Sequence, residues 1–272
     1  LRVGAVLAKS LSLLLDVPLV GVNHCIAHLE IGRLKAQPYF VTSSTNAYGD
    51  DHMCTSNNNS SETNTCDDPV LLYASGANTQ IIAYEGNKYR IFGETLDNGV
   101  GNFIDGFARY AGMGFPGGPK IEQHAKESTK YIPLPYVVKG MDVSFSGIQT
   151  RLKQLFDLGK YQLSDLCFSL QENTFSMLVE VAERAMAHTG KKQLLLGGGV
   201  ACNKRFQEMA HLMCKERGAV CFVLPNEFNV DNAAMIAWTG ILQFQSGDSL
   251  LVKDAFIQPQ IRTDEVTISW RN

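Results

Sequence analysis

The chain has 272 residues, with 45% apolar and 19% charged side chains and a formal net charge of −3. That length supports one large domain or two modest ones around a sizeable core. The charge excludes a whole-protein basic field for nucleic acid, so RNA contact would need a local basic patch or a partner subunit. No apolar run reaches the roughly 18 residues that a spanning helix needs, so no membrane is expected as a partner.

Residues 2–15 carry helical periodicity. A short apolar strand is expected at 19–22 and a second helix at 23–34. Residues 37–68 are then rich in Ser, Thr, Asn and Asp, and such a stretch buries too little apolar surface to order itself. It reads as a long surface loop, dispensable for chemistry because long insertions cost little closure entropy. Asn58 and Asn59 match the glycosylation sequon there by chance. A strand pair follows at 70–84 around the turn Ser75-Gly76-Ala77-Asn78, with a third strand at 89–94. Helices are expected at 102–112 and 121–127, on either side of a Gly/Pro turn, and an extended segment at 141–145. Further helices are expected at 147–158 and 163–187, the latter ending near Gly190. Strand 193–196 runs into Gly197-Gly198-Gly199. Helix 203–217, strand 220–224 and helix 231–244 complete an α/β order.

The seven cysteines form no C-x-x-C, which excludes a zinc knuckle or a thioredoxin motif. Cys25, Cys167, Cys202, Cys214 and Cys221 sit in apolar or helix-like surroundings and read as buried thiols. Cys54 and Cys66 lie in the polar stretch and could pair.

Three constellations could carry chemistry. His24 and His28 lie one helical turn apart, where two imidazoles can share a metal such as zinc or iron, or simply sit in a core. No Glu follows His24, so the metalloprotease H-E-x-x-H is not present. The Gly197–Gly199 turn between strand and helix is either a tight connection or a phosphate cradle. The Ser75–Asn78 turn is either a hairpin or a second nucleotide grip. Asp105 and Glu122 are candidate acceptors for ribose hydroxyls, or solvated helix charges.

Six stretches occur in order: Gly21-Val22-Asn23-His24-Cys25-Ile26-Ala27-His28, Tyr73-Ala74-Ser75-Gly76-Ala77-Asn78-Thr79-Gln80, Gly93-Glu94-Thr95-Leu96-Asp97, residues 139–147, Gly198-Gly199-Val200-Ala201-Cys202-Asn203 and Asp231-Asn232-Ala233-Ala234-Met235. Together they resemble the tRNA N6-adenosine threonylcarbamoyltransferases, once called O-sialoglycoprotein endopeptidases. The Asn-His-Cys start and Tyr73 are similar to the archaeal and eukaryotic branch, the catalytic subunit of the KEOPS complex.

The resemblance implies an actin/Hsp70/sugar-kinase-like α/β fold with two ribonuclease-H-like lobes, the N-terminal one incomplete. Residues 1–95 would be its remainder, including the polar insertion 37–68. Residues 96–272 would form the C-terminal lobe, with the site between the two. The resemblance also implies one divalent metal, iron or zinc, on His24, His28, Tyr73 and Asp231. Threonylcarbamoyl-AMP would lie along Tyr73, Ala74, Ser75, Gly76, Ala77, Asp105, Gly117, Glu122 and Asn203, with ATP or AMP as further occupants. Its group would pass directly to N6 of the tRNA adenosine 3′ to the anticodon. Implied partners are tRNA and the kinase-like and dimerising KEOPS subunits, in cytoplasm and nucleus. Because the family carries further N-terminal residues, this chain alone is not expected to be a competent enzyme. Alternatives are an inactive truncated paralogue that only binds partners, a metallopeptidase, and a sugar or acetate kinase of the same fold.

Ala77 and Ala233 stand where the family has glycine, and Asn98-Gly99 replaces Ile-Ala. A positive φ at either alanine would cost about 1 kcal/mol or more.

Overall fold

The structure, a computed structural model, describes residues 2–39 and 65–271. Helices α1 (Arg2–Leu15) and α2 (His24–Lys35) precede a two-residue strand, β1 (Gln37–Pro38). A meander follows, β2 (Val70–Ala74), β3 (Thr79–Glu85) and β4 (Lys88–Glu94), then α3 (Val100–Tyr110) and α4 (Gly117–Ala125). The small hairpin β5 (Val138–Lys139) and β6 (Asp142–Val143) leads to α5 (Ser146–Asp157) and the long α6 (Leu163–Thr189). The chain continues through β7 (Gln193–Gly197), a 3-10 turn (Gly199–Cys202), α7 (Lys204–Glu216), β8 (Val220–Val223), α8 (Asn226–Asn229) and α9 (Ala233–Gln245).

One six-stranded sheet organises these elements, in the order β1-β8-β7-β2-β3-β4. Strands β2, β7 and β8 run parallel, with Tyr73 opposite Gly197 and Leu195 opposite Phe222. The parallel strands read as unbroken apolar runs because both faces are covered, as in Val70-Leu71-Leu72-Tyr73-Ala74, all buried. Helices α3 to α7 cover one face through Phe103, Phe145, Leu178 and Phe206. Helix α2 and the C-terminal tail cover the other, through Ile26, Leu29 and Ile268 against Leu71, Leu195 and Phe222. Buried fully on α2, Gly32 permits this approach, since a Cβ there would lie 2.3 Å from Leu195 Cδ2.

The α/β reading holds, and most of the expected elements are present. The sheet, however, draws β2–β4 from before residue 95 and β7–β8 from after it, so a lobe boundary at 95/96 would cut a hydrogen-bonded sheet. That pairing joins residues far apart in sequence, which local composition does not display. Residues 19–22 form only an isolated bridge from Leu19 to Leu250. Helix α4 starts at Gly117, ahead of the expected 121; Pro119 falls in its first turn, where a missing N–H costs nothing. The ends of the polar stretch are anchored: β1 pairs with β8, and Cys66 is buried. Cys54, the two sequons and the middle of that stretch lie outside the described residues. Cys25, Cys167, Cys214 and Cys221 are buried as expected, whereas Cys202 is partly exposed. Neither Ala77 nor Ala233 takes a positive φ, so neither substitution carries that strain. Gly99 is needed where it stands, because a Cβ would lie 2.4 Å from the Gly76 carbonyl oxygen. The side chains of Val3, Val6, Leu7 and Leu11 on α1 are exposed.

Two of the sequence motifs prove to be halves of one clamp. Gly93 lies against Met141, where a Cβ would sit 2.0 Å from the Met141 carbonyl oxygen. The Glu94 N–H donates to Asp142 Oδ1 at 2.9 Å. The Asp97 carboxylate accepts from Ser144 Oγ (2.5 Å), Phe145 N (3.0 Å) and Ser146 N (2.9 Å), capping the start of α5 from outside the helix. Partial burial pushes the Asp97 carboxyl up, but these hydrogen bonds outweigh it and hold it well below the usual carboxylate range. A depressed folded pKa means the contribution is complete above the unfolded value, about 4, and is lost as pH falls below it. Asp97→Ala is expected to cost about 1–2 kcal/mol at pH 7 in urea unfolding, with the difference from the parent shrinking in acid. An equal loss at pH 7 and pH 2.5 would contradict the clamp.

Candidate metal centre

The imidazoles are positioned by the start of α2. Asn23 is its N-cap, its side-chain oxygen accepting from Ile26 N at 3.1 Å. His24 and His28 therefore stand one turn apart on the same face, with ring centroids 5.0 Å apart. Both Nε2 atoms turn to one oxygen of Asp231, at 3.1 Å from His24 and 3.2 Å from His28. Asp231 lies between α8 and α9, where Asn229 donates to the Leu224 carbonyl and Asn232 caps α9. His28 is fully buried, while 46% of the His24 side chain and 76% of the Asp231 side chain remain exposed.

Tyr73, at the C-terminal end of β2, packs its ring 5.0 Å from that of His28. Burial, with the Asp231 carboxylate close by, pushes its phenol well above the ordinary tyrosine range. Burial, then the neighbouring His24, pulls the His28 imidazole below its ordinary value against the pull of Asp231. A neutral imidazole keeps a lone pair for a metal.

These residues fit a metal. The three ligand atoms lie within 4.8 Å of one another. A tetrahedral ion with N and O ligands at about 2.0–2.1 Å sets them about 3.3 Å apart, close to the two Nε2–Oδ1 distances. Two imidazoles and a carboxylate suit zinc or iron. Among the described residues, the buried Nδ1 of His28 has no hydrogen-bond partner of the kind that usually orients a ligand imidazole.

The two small-residue turns meet at the carboxyl ends of β2 and β7, the position at which open α/β sheets bind ligands. Gly198, at φ +90°, comes so close that a Cβ would lie 2.4 Å from the Ala74 carbonyl oxygen. The first N–H groups of α3 hold the other turn: Val100 N donates to Thr79 Oγ1 (2.9 Å), Gly101 N to the Ser75 carbonyl (3.0 Å) and Asn102 N to the Gly76 carbonyl (2.9 Å). Ala74, Ser75, Gly76 and Ala77 thus form a pinned ledge beside Tyr73.

The other expected ligand residues also have structural work. Asp105 accepts from Gly117 N at 2.8 Å, joining α3 to the start of α4. Glu122 and Asn203 meet at the start of α7: Glu122 Oε1 accepts from Lys204 N (3.0 Å) and Asn203 Oδ1 from Phe206 N (3.1 Å). Asn203 Nδ2 donates to Gln171 Oε1 at 3.0 Å. The capping role of Asn203 was legible from its place before a periodic segment; the Glu122 contact, 82 residues away, was not.

The sequence profile of the family described as TsaD, tRNA N6-adenosine threonylcarbamoyltransferase, matches residues 1–47 and 50–238. A tRNA N6-adenosine threonylcarbamoyltransferase of Methanocella arvoryzae is 48% identical over 99% of this chain and 74% of that protein. The chain belongs to the TsaD family. Another relative, a probable bifunctional tRNA threonylcarbamoyladenosine biosynthesis protein of Methanosarcina mazei, is 49% identical over 99% of this chain, which spans 44% of its length. Among solved structures, full-length HypF in its phosphate- and nucleotide-bound form covers 67% of this chain and 40% of its own, at 11% identity and a TM-score of 0.56. That likeness shows the fold, in line with the actin/Hsp70/sugar-kinase-like expectation. The TsaD match spans all six motifs, including both imidazoles, the Tyr73 ledge and Asp231.

Proposed function

We propose that this TsaD-family chain transfers the threonylcarbamoyl group of threonylcarbamoyl-AMP to N6 of the tRNA adenosine 3′ to the anticodon. The observation that carries the reading is the convergence of His24, His28 and Asp231 beside the Tyr73–Ala77 ledge. Those residues, with Tyr73, would hold one divalent ion, zinc or iron, which when bound supplies Lewis-acid polarisation of a carbonyl.

The chain's own groups do the rest. The ledge is fixed by α3 and by Gly198, so its backbone can receive a substrate without reorganising. Glu122 and Asn203 would face the nucleoside part of the adenylate, and ATP or AMP would compete there. The adenosine N6 amine, its lone pair delocalised into the purine ring, is a weak nucleophile, so positioning supplies much of the rate. The metallopeptidase alternative lacks a Glu general base beside His24, and the family match favours transfer over a kinase. The expected partners are tRNA and the kinase-like and dimerising KEOPS subunits, in cytoplasm and nucleus.

The test is AMP release from threonylcarbamoyl-AMP in the presence of these subunits. Release should depend on tRNA carrying the target adenosine and vanish when guanosine replaces it. Release indifferent to that base would refute the transfer. Calorimetric titration of AMP should show about tenfold weaker binding to Glu122→Gln, a loss of about 1.4 kcal/mol of the kind expected for one charge-assisted hydrogen bond. Wild-type affinity would remove Glu122 from the site.

A further inference from the structure

Helix α2 carries a second buried polar group that the metal reading does not use. Glu30 is 1% exposed. Its carboxylate accepts from Trp270 Nε1 at 2.9 Å, from Arg33 Nη1 at 2.8 Å and from the Tyr89 hydroxyl in a short contact. Arg271 closes the network: Nη1 donates to the Tyr89 hydroxyl at 3.1 Å, and the guanidinium stacks 4.1 Å from the Tyr84 ring centroid. Arg271 Nη2 and Arg33 Nε both donate to the Asp67 carbonyl. Three segments meet on one carboxylate, α2, β4 and the C-terminal tail, and the residues leading into β2 join them through the two arginines.

Position on the helix gives this network a mechanical meaning. Glu30 lies two positions after His28, about 200° around the helix axis, so the two point to opposite sides. One side is set by Glu30 against the tail and sheet; the other presents His24 and His28 to Asp231. A rotation of about 10° moves an atom about 6 Å from the axis by about 1 Å. That displacement exceeds the roughly 0.5 Å within which ligand atoms must be held. The apolar residues on this helix, Ile26, Ala27, Leu29 and Ile31, are buried and grip it through packing, which resists a rotation less sharply than directional hydrogen bonds do.

We infer that Trp270 and Arg271, acting through Glu30 and Tyr89, are positioning residues that fix the rotation of α2 and so hold the His24–His28 pair in register with Asp231. The inference rests on the metal reading of that triad. Outer contacts that orient ligands typically change metal affinity by about 10–100-fold.

The experiment titrates cobalt(II) into the chain and into Trp270→Phe, which keeps most of the ring and loses the N–H donor. Glu30→Gln is the second variant. Ile148→Val, buried on the opposite face of the sheet, is the control for general destabilisation. Trp270→Phe and Glu30→Gln should bind cobalt about tenfold more weakly, with a changed visible ligand-field spectrum, while the control keeps both the parent affinity and the parent spectrum. Lower melting temperatures with unaltered cobalt affinity and spectrum would reduce the network to ordinary packing and overturn the inference. An unaltered chain that binds no cobalt would refute the metal reading itself, and this inference with it.

Discussion

His28→Ala is expected to lower affinity for a divalent ion by about 1,000-fold, because losing a ligand costs more than the 10–100-fold typical of an outer contact. His24→Ala should lose affinity comparably. The two differ in what they do to the fold. His28 is fully buried beside Tyr73, so its truncation leaves a cavity and some loss of stability. The half-exposed His24 ring can be removed with little structural cost. Metal content of the purified variants by mass spectrometry, with circular dichroism for the fold, checks both. Parent-like metal stoichiometry in both variants would exclude the triad as a metal site.

The second large effect is expected at Gly198. Its φ of +90° is reachable for an L residue only with strain, and a Cβ would press on the Ala74 carbonyl at 2.4 Å. Strain of about 1–2 kcal/mol and overpacking of about 1–3 kcal/mol add, so Gly198→Ala should lose about 2–5 kcal/mol. At roughly 2–4 °C per kcal/mol for a chain of this size, the melting temperature falls by about 10 °C. The neighbouring Gly199→Ala meets open space at an ordinary φ and should melt close to the parent. Equal melting temperatures for the two variants would mean that the backbone of β2 yields where the packing says it cannot.

Legibility in the sequence followed the range of the interaction. The helix boundary at Gly190, the strands around Ser75–Asn78 and the His24–His28 spacing are local patterns, and they read correctly. The family resemblance carried Asp231 to the pair across more than 200 residues, which no periodicity could do. The lobe boundary was not legible, because nothing local in Leu71-Leu72-Tyr73 says that its partner is Leu195-Leu196-Gly197. Nor was the Glu30 network, since a lone Glu inside an apolar helix looks like a solvated charge until Tyr89 and Trp270 are placed around it. Gly198 read as either a tight connection or a phosphate cradle, and Gly99 only as a departure from the family's Ile-Ala; the backbones pressed against them show why a side chain is excluded.

The most direct test of the proposed chemistry is mass analysis of nucleosides from tRNA incubated with threonylcarbamoyl-AMP, the chain and its expected partner subunits. N6-threonylcarbamoyladenosine should form with the unaltered chain. It should disappear with His28→Ala and after removal of bound metal, and return when zinc or iron is restored to the unaltered chain alone. Equal product from the parent and His28→Ala, or product indifferent to chelation, would contradict a reaction built on the His24–His28–Asp231 centre.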